Sequence, residues 1–336
     1  MNRHIILTIF LLLACAKYGV GQDLHFSQFF EAPLLRNPSL AGIYTGDIRV
    51  QAVYRDQWNS VTNAYKTTSL NAEYKMPIGK ANDFVTAGMQ LLYDQAGTVS
   101  LKTTHVLPAL NYHKSLSNQV NRYLSVGFMG GMVQQRIDRT KVTTDGTYNG
   151  TGDGENFPSP QYTYFDAAAG ISFNSELNED PNNNIFFGFA YHHFNRPKKS
   201  FYNNEAAELT PKMVTSAGIK FSVTEASYLT LQADYSKQGA YQEVIGGFLY
   251  GIKLGEDFDK PKYTVHGGMF MRLNDAIIPV IKLDYSPFSV SLSYDANISK
   301  LKASTMGRGG FEIGISYIGF RKTKEEAPSF SLCPRF

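Results

Sequence analysis

The feature of this sequence that most restricts its fold is a recurring alternation of apolar and polar residues. Between residues 228 and 235, Leu, Leu, Ala and Tyr occupy the odd positions, and Tyr, Thr, Gln and Asp occupy the even ones. Successive side chains of a β-strand point to opposite faces, so this pattern predicts strands with one apolar and one polar face. About fourteen such segments follow one another, near residues 47–56, 67–76, 83–93, 103–113, 121–137, 162–174, 184–194, 213–222, 227–236, 244–254, 262–272, 277–286, 288–296 and 310–320.

The polar faces of these segments carry mostly Ser, Thr, Gln, Gly and isolated charges, whereas the wet face of a soluble β-sheet usually carries many Lys and Glu. The 21 Tyr and 23 Phe often stand near strand ends, where outer-membrane proteins form interfacial girdles. After residue 21, no apolar run approaches the ~18 residues that a spanning helix needs. We therefore predict an all-β fold, an antiparallel transmembrane β-barrel of about 14 strands over residues 47–320, in outer-membrane lipid. A soluble periplasmic β-domain is the alternative.

Connection lengths give a second indication, because outer-membrane barrels alternate long external loops with short periplasmic turns. The first, third, fifth, seventh, ninth and thirteenth connections are predicted to be long, whereas most even ones, such as Ser286-Pro287, are short. The short eleventh connection is the exception. An even strand count places both barrel ends on the periplasmic side, where we expect residues 22–46 and a tail over residues 321–336.

The N-terminus has the pattern of an export signal. Arg3 supplies a basic start, an apolar run follows, and small residues precede a cleavage site between residues 21 and 22. A lipobox-like sequence ending in Cys15 offers an alternative, lipidated start. Removal of Arg3 and Lys17 leaves 30 of the 32 basic residues against 29 acidic ones, so the charge gives no reason to expect nucleic acid.

The stretch before the first strand carries closely spaced anchors. Pro33 and Pro38 exclude a long helix there, because each lacks an N–H group. We expect this stretch either to fold into the lumen as a plug or to form a periplasmic docking surface for a partner, since exposed apolar patches mark partners. The candidate plug or partner-binding residues are Phe26, Phe29, Phe30, Leu34, Leu35 and Arg36, and the candidate turn residues are Asn37, Pro38 and Gly42.

Charged residues on strand faces form a second candidate set. A charge facing lipid is costly, so these residues are expected to line the lumen and to pair with one another or with a plug. They are Arg49, Arg55, Glu73, Lys220, Asp234, Lys282, Asp284 and Glu312.

The sequence gives little support for catalysis, metals or cofactors. The Asp- and Gly-rich residues 145–156 could offer oxygen ligands to calcium, but their order fits a solvated loop better. The histidines show no metal-ligand spacing, and adjacent His192 and His193 are expected to face opposite sides of a strand. No Ser lies in a G-x-S-x-G context. We predict no enzyme, no catalytic residues, no metal site and no cofactor.

Three short motifs near the predicted mature N-terminus carry a resemblance. They are Phe26-Ser27-Gln28, Asn37-Pro38-Ser39-Leu40-Ala41-Gly42 and Tyr54-Arg55-Asp56-Gln57-Trp58, and the chain ends in Cys333-Pro334-Arg335-Phe336. Together they resemble the PorP/SprF family of type IX secretion outer-membrane proteins. That resemblance implies a non-enzymatic barrel of the secretion and gliding-motility apparatus, with the C-terminal domain of a secreted adhesin and periplasmic ring lipoproteins as partners. A porin-like or hydrophobic-solute channel is the alternative function.

Overall fold

The computed structural model describes residues 23–57, 65–79, 82–143, 145–150, 159–177, 180–202, 204, 206–258, 261–299 and 308–321. Fourteen β-strands are formed by these described residues. Their bounds are β1 Ile48–Gln57, β2 Tyr65–Pro77, β3 Phe84–Ala96, β4 Leu101–Ser115, β5 Arg122–Arg136, β6 Gln161–Leu177, β7 Asp180–His192, β8 Lys212–Thr224, β9 Ser227–Gln238, β10 Tyr241–Leu254, β11 Tyr263–Arg272, β12 Ala276–Tyr285, β13 Phe288–Asn297 and β14 Arg308–Gly319.

Each strand pairs antiparallel with the next, and β1 pairs with β14 to close a barrel. At the closure, Ile48 lies opposite Gly319 and Gln57 lies opposite Gly310. Closure leaves no strand edge unpaired, which backbone in lipid requires. The predicted all-β barrel is confirmed, and every predicted strand lies within four residues of its observed bounds.

The two faces of the wall differ as the alternation predicts. On β2, the inward residues Thr67, Ser69, Asn71 and Glu73 are all buried and polar. Large apolar side chains point outward, and the most exposed of those on strands include Leu110 at 59%, Phe128 at 58% and Ile281 at 66%. An apolar exterior around a polar interior is the arrangement of a barrel that faces lipid.

The helices are short. They comprise the 3₁₀ turns Phe29–Glu31, Pro38–Leu40 and Arg139–Lys141, and the helices α1, Pro33–Arg36, and α2, Asp145–Tyr148. Within the described ranges, no helix is long and apolar enough to cross a membrane.

The two mouths of the barrel differ in their connections. We call the mouth where β1 ends the loop end, because the connections over residues 137–160 and 193–211 lie there. The mouth with Ile48 and Gly319 is the terminal end. The expectation of long third and ninth connections is wrong: the strand bounds leave four residues, 97–100, and two residues, 239–240. The ninth is so short because Gly239, with φ of +58°, lets β9 and β10 continue almost to the turn.

The predicted signal peptide, residues 1–21, and Cys15 lie outside the described residues, as do Trp58 and the tail beyond residue 321.

Candidate functional site

Residues 23–47, which we call the lumenal segment, run lengthwise through the inside of the barrel. At one end, the Asp23 N–H donates to the side-chain oxygen of Gln238, the last residue of β9 at the loop end, at 3.0 Å. At the other end, the Asp47 N–H donates to the carbonyl of Gly319 at the terminal end, at 2.9 Å. The segment therefore enters at the loop end and leaves at the terminal end, where β1 begins.

This course differs from the expectation that the stretch before β1 stays near the terminal end. Only its last residues, around Tyr44, lie there; the Tyr44 hydroxyl donates to the Asp47 carbonyl at 3.0 Å. The interior of a fourteen-stranded barrel is wider than that of an eight-stranded one, which side chains alone can fill. It can therefore accommodate three short helical elements, the turn Phe29–Glu31, α1 and the turn Pro38–Leu40. The second element begins at Pro33 and the third begins at Pro38.

Two aromatic side chains of the segment, Phe29 and Phe30, pack against the part of the wall formed by β10 to β12. Phe29 and Phe30 pack against Phe270 of β11, with ring centroids 5.4 and 5.3 Å apart. Ile245 and Ile278 belong to the same buried cluster. Full burial of such a side chain contributes roughly 1.5–3 kcal/mol, so this contact is a main source of affinity between the segment and the wall.

The other predicted apolar anchors contact different strands. Leu34 is fully buried beside Leu107 and Met129, on β4 and β5. Phe26 packs with Val53 of β1 and Leu92 of β3, and Leu35 lies partly buried against that cluster. The structure thus places all five predicted apolar anchors inside the barrel, distributed around its circumference.

Arg36 makes the most extensive polar contact between the segment and the wall. Its Nε lies 2.7 and 2.8 Å from the two carboxylate oxygens of Asp234, and its Nη1 donates to Gln232 Oε1 at 3.1 Å. The guanidinium lies between the rings of Phe29 and Phe186, 4.7 and 4.8 Å from their centroids. Both members of the ion pair are more than nine-tenths buried, so each compensates the other's lost hydration.

Glu312 of β14 holds the start of the segment through its backbone. Its carboxylate accepts hydrogen bonds from the N–H groups of Ser27 and Gln28 at 2.7 and 2.8 Å. Arg55 of β1 lies 3.2 Å from the same carboxylate and 3.1 Å from Asp295. The pair at the β1–β14 closure is therefore also a binding site for the segment.

Two further ion pairs involve predicted lumen charges. Lys282 binds Glu31 of the segment. Arg49 lies 2.7 Å from Glu73 on the neighbouring strand. The second oxygen of Glu73 accepts the N–H of Gly42 at 2.7 Å, so this wall pair also fixes the segment.

Glycines of the wall form a socket for the predicted turn. A Cβ on Gly170 would lie 1.9 Å from the side-chain oxygen of Asn37, and one on Gly127 would lie 2.6 Å from the Pro38 backbone. Asn111 donates to the carbonyls of Ser39 and Ala41 at 2.6 and 2.8 Å. The turn therefore sits directly on the wall backbone of β5 and β6, which only glycine permits.

Gly42, the last turn residue, has a φ of +87°, a conformation that glycine adopts without strain.

At the loop end, the segment binds the wall through ion pairs of residues that were not among the predicted site residues. Asp23 lies 3.2 Å from His193 and 3.5 Å from Lys212, and His193 also contacts Asp166 at 2.8 Å. Burial opposes the charged imidazole, but the Asp23 carboxylate and the hydrogen bond to Asp166 raise the pKa of His193 to about 9. Burial opposes ionisation of Asp23 too, yet Lys212 and His193 hold its pKa well below its usual range.

The expectation that His192 and His193 face opposite sides is wrong. Strand β7 ends at His192, and His193 has a φ of +55°, which turns its ring back into the lumen. His192 lies 3.3 Å from the carbonyl of Arg36. Both imidazoles are therefore buried and contact the segment.

Two other predicted lumen charges contact residues of the wall. Lys220 lies over the ring of Tyr228, 4.2 Å from its centroid, and Asp284 lies 3.0 Å from His266. Sequence reasoning missed Glu31, Asp295 and Arg272; Arg272 lies 3.3 Å from Asp295 in the group around Ser27. The signal for Asp295 was present, because it stands on the polar face of a predicted strand.

In the part of the chain that the structure describes, no group of three His, Cys, Asp or Glu residues is placed to hold a metal ion. Of the candidate calcium loop, residues 145–150 are described and form α2 and the turn after it, whereas residues 151–156 lie outside the described ranges. The arrangement inside the barrel is that of a wall binding a peptide segment through charges, amides and aromatic rings.

Several solved structures of transporters and channels are similar to this chain. The toluene transporter TbuX of Ralstonia pickettii is 10% identical over 90% of this chain and 96% of its own, with a TM-score of 0.49. The CymD monoaromatic hydrocarbon channel is 11% identical over 90% and 96%, with a TM-score of 0.47. The toluene transporter TodX of P. putida is 8% identical over 87% and 95%, with a TM-score of 0.46.

No curated protein matches the sequence significantly. A family model described as "Type IX secretion system membrane protein PorP/SprF" matches residues 19–317. The matched range begins ahead of the lumenal segment and ends within β14.

Proposed function

We propose, because the chain belongs to the PorP/SprF family of type IX secretion system membrane proteins, that it holds a secreted adhesin at the cell surface or helps to export it. The chain is an outer-membrane β-barrel, and its family is non-enzymatic, in agreement with the prediction that it is not an enzyme. The adhesin and the periplasmic ring lipoproteins are the partners we propose.

The observation that carries this proposal is the occupied lumen. The lumenal segment contacts the wall through the aromatic cluster around Phe270, the Arg36–Asp234 pair and the Glu312 site. A barrel whose interior is filled by its own chain is suited to serve as a fixed structure in the membrane. It is poorly suited to passing solutes freely.

The two mouths suggest where the partners bind. Outer-membrane barrels place long loops outside and short turns in the periplasm, so the loop end is proposed to face the exterior. The connections over residues 137–160 and 193–211 would then meet an adhesin domain at the surface. The terminal end, with Ile48 and Gly319, would face the ring lipoproteins.

Gene deletion tests the proposal. We expect loss of large adhesins from the cell surface, and their release into the medium or retention in the periplasm, with normal abundance of unrelated outer-membrane proteins. Complementation with the wild-type gene should restore surface display. Unchanged adhesin display and surface motility in the deletion strain would contradict the proposal.

Conductance distinguishes this function from a porin-like or hydrophobic-solute channel. The purified protein in a planar bilayer is expected to give no large, steady conductance, because the segment fills the lumen. A large and steady conductance from wild-type protein would favour the channel.

A further inference from the structure

A cavity of about 290 Å³, lined by both polar and apolar side chains, lies inside the loop end, above the start of the lumenal segment. Its floor includes Asp23 and His25, and its wall includes inward residues of β3 to β6. A single water requires only ~15 Å³ of such space, so the cavity has room for a small organic molecule or the end of a side chain. We call it the vestibule.

Asp94 of β3 lines the vestibule and forms no ion pair with a described residue. Asp94 is 6% exposed, and the one hydrogen bond of its carboxylate within the described residues is from the Thr67 hydroxyl, at 2.7 Å to Oδ1. No Lys, Arg or His nitrogen of the described chain lies within 4.0 Å of its carboxylate. A buried carboxylate without a cation is costly, so this position is incomplete as it stands.

The neighbouring strand supplies a second such group. His105 of β4 is 9% exposed and lines the same cavity, and its imidazole makes no hydrogen bond with a described residue. In the antiparallel register, Asp94 pairs with Thr103 and Leu92 pairs with His105, so Asp94 and His105 lie diagonally on one inward face. A carboxylate oxygen and an imidazole nitrogen thus border the same space.

The other charges of the vestibule are already matched or hydrated. Asp23 pairs with His193 and Lys212, and Arg55 pairs with Glu312 and Asp295. Lys199 is exposed at the rim and keeps its own hydration. Among the acidic groups that line this cavity, Asp94 is the one without a cation.

We propose that the vestibule binds an organic cation, a primary ammonium or a guanidinium, at Asp94. The cation donates one N–H to the free oxygen of Asp94 and another to the ring nitrogen of His105. The same chemistry is carried by a free amine and by a basic side chain of a polypeptide. The site does not depend on which side of the membrane the loop end faces.

Titration of the purified, detergent-solubilised protein tests the site with two probes: cadaverine as the free amine, and a capped Gly-Gly-Lys-Gly-Gly peptide as the polypeptide source. We expect saturable binding of at least one probe, weakened by added salt. Asp94→Asn should reduce the affinity roughly tenfold or more, because it removes a charge-assisted hydrogen bond. Asp138→Asn is the matched control, because Asp138 is exposed at the loop end and does not line the vestibule.

A wild-type measurement covers the case in which Asp94→Asn fails to fold. A structure determined with 4-bromobenzylamine locates the bromine, and we expect the ammonium within hydrogen-bond distance of Asp94. Absence of binding by both probes to folded wild-type protein would overturn the proposal. So would equal binding by Asp94→Asn, or a brominated amine bound only elsewhere.

Discussion

Replacing Arg36 by Met should loosen the lumenal segment by an amount that its contacts define. Met keeps the length of the side chain between the rings of Phe29 and Phe186 but removes every contact with Asp234. The Asp234 carboxylate, with its side chain 8% exposed, then lacks a cation. Removal of one partner of a buried ion pair costs about 3–5 kcal/mol.

That cost should appear as opening of the segment rather than unfolding of the barrel, because Arg36 contributes nothing to strand pairing. Each 1.4 kcal/mol is a factor of ten, so the open population should rise roughly 10²- to 4 × 10³-fold. Ala32, which is 2% exposed, offers a position for a reporter thiol, Ala32→Cys, in a Cys333→Ser background. A polyethylene-glycol maleimide too large for the lumen reacts only with the open state. Its rate follows the open population if reclosure is faster than labelling.

Two comparisons make this measurement decisive. Arg36→Met combined with Asp234→Asn removes both charges, so labelling should return most of the way to the reference rate. Arg136→Met, at an outward and exposed position at the end of β5, should leave the rate unchanged. If Arg36→Met labels within about threefold of the reference while the barrel stays heat-modifiable on gels, the ion pair does not hold the segment and the reasoning fails.

Three further perturbations probe other contacts. Gly170→Ala places a Cβ 1.9 Å from the side-chain oxygen of Asn37, so we expect the segment to dock less stably by about 1–3 kcal/mol and the Ala32→Cys thiol to label faster. Gly267→Ala is the control, because a Cβ there has nothing within 4 Å. Equal labelling rates in the two variants would contradict the glycine socket. Deleting residues 23–36 should give a steady conductance in planar bilayers. If the folded deletion variant shows no conductance, the segment is not what blocks the lumen. The ion pair of His193 with Asp23 is complete below the free imidazole value of 6.5 and is lost as pH rises through about 9. The labelling rate of a Leu24→Cys thiol, divided at each pH by the rate of the same thiol in the His193→Gln variant to cancel the rise in thiolate, should therefore increase over that range; a constant ratio would contradict the role of His193.

The strands and the direction of their side chains could be predicted because alternation is a local property. Arg55 and Glu312 each stand on the polar face of a segment with a clear period of two, and both point into the lumen. Their mutual contact could not be read locally, because it exists only where β1 meets β14. The sequence also does not state that Ser27 and Gln28 would give their backbone N–H groups to this pair.

The glycine socket and the inward direction of His193 were not predicted, because they depend on parts of the chain that are distant in sequence or on local turn geometry. Gly127 and Gly170 look like ordinary small residues in strands, and a sequence cannot show that the Asn37-Pro38 turn rests on their backbone. His193 was expected to continue the alternation of β7, but the strand ends one residue earlier and the positive φ reverses its direction. Local turn geometry of this kind overrides periodicity.

Closure of the barrel and docking of the lumenal segment must be linked, because they use the same side chains. Glu312 and Arg55 come from the last and first strands, and Glu312 meets Arg55 only when β1 pairs with β14. The same Glu312 carboxylate accepts the N–H groups of Ser27 and Gln28, which lie near the loop end, far along the lumen from the start of β1. A segment that must pass through the whole lumen enters most readily while the wall is still open. The closing strands would then complete its binding site around it, so that the closure pair and the occupied lumen stabilise one another.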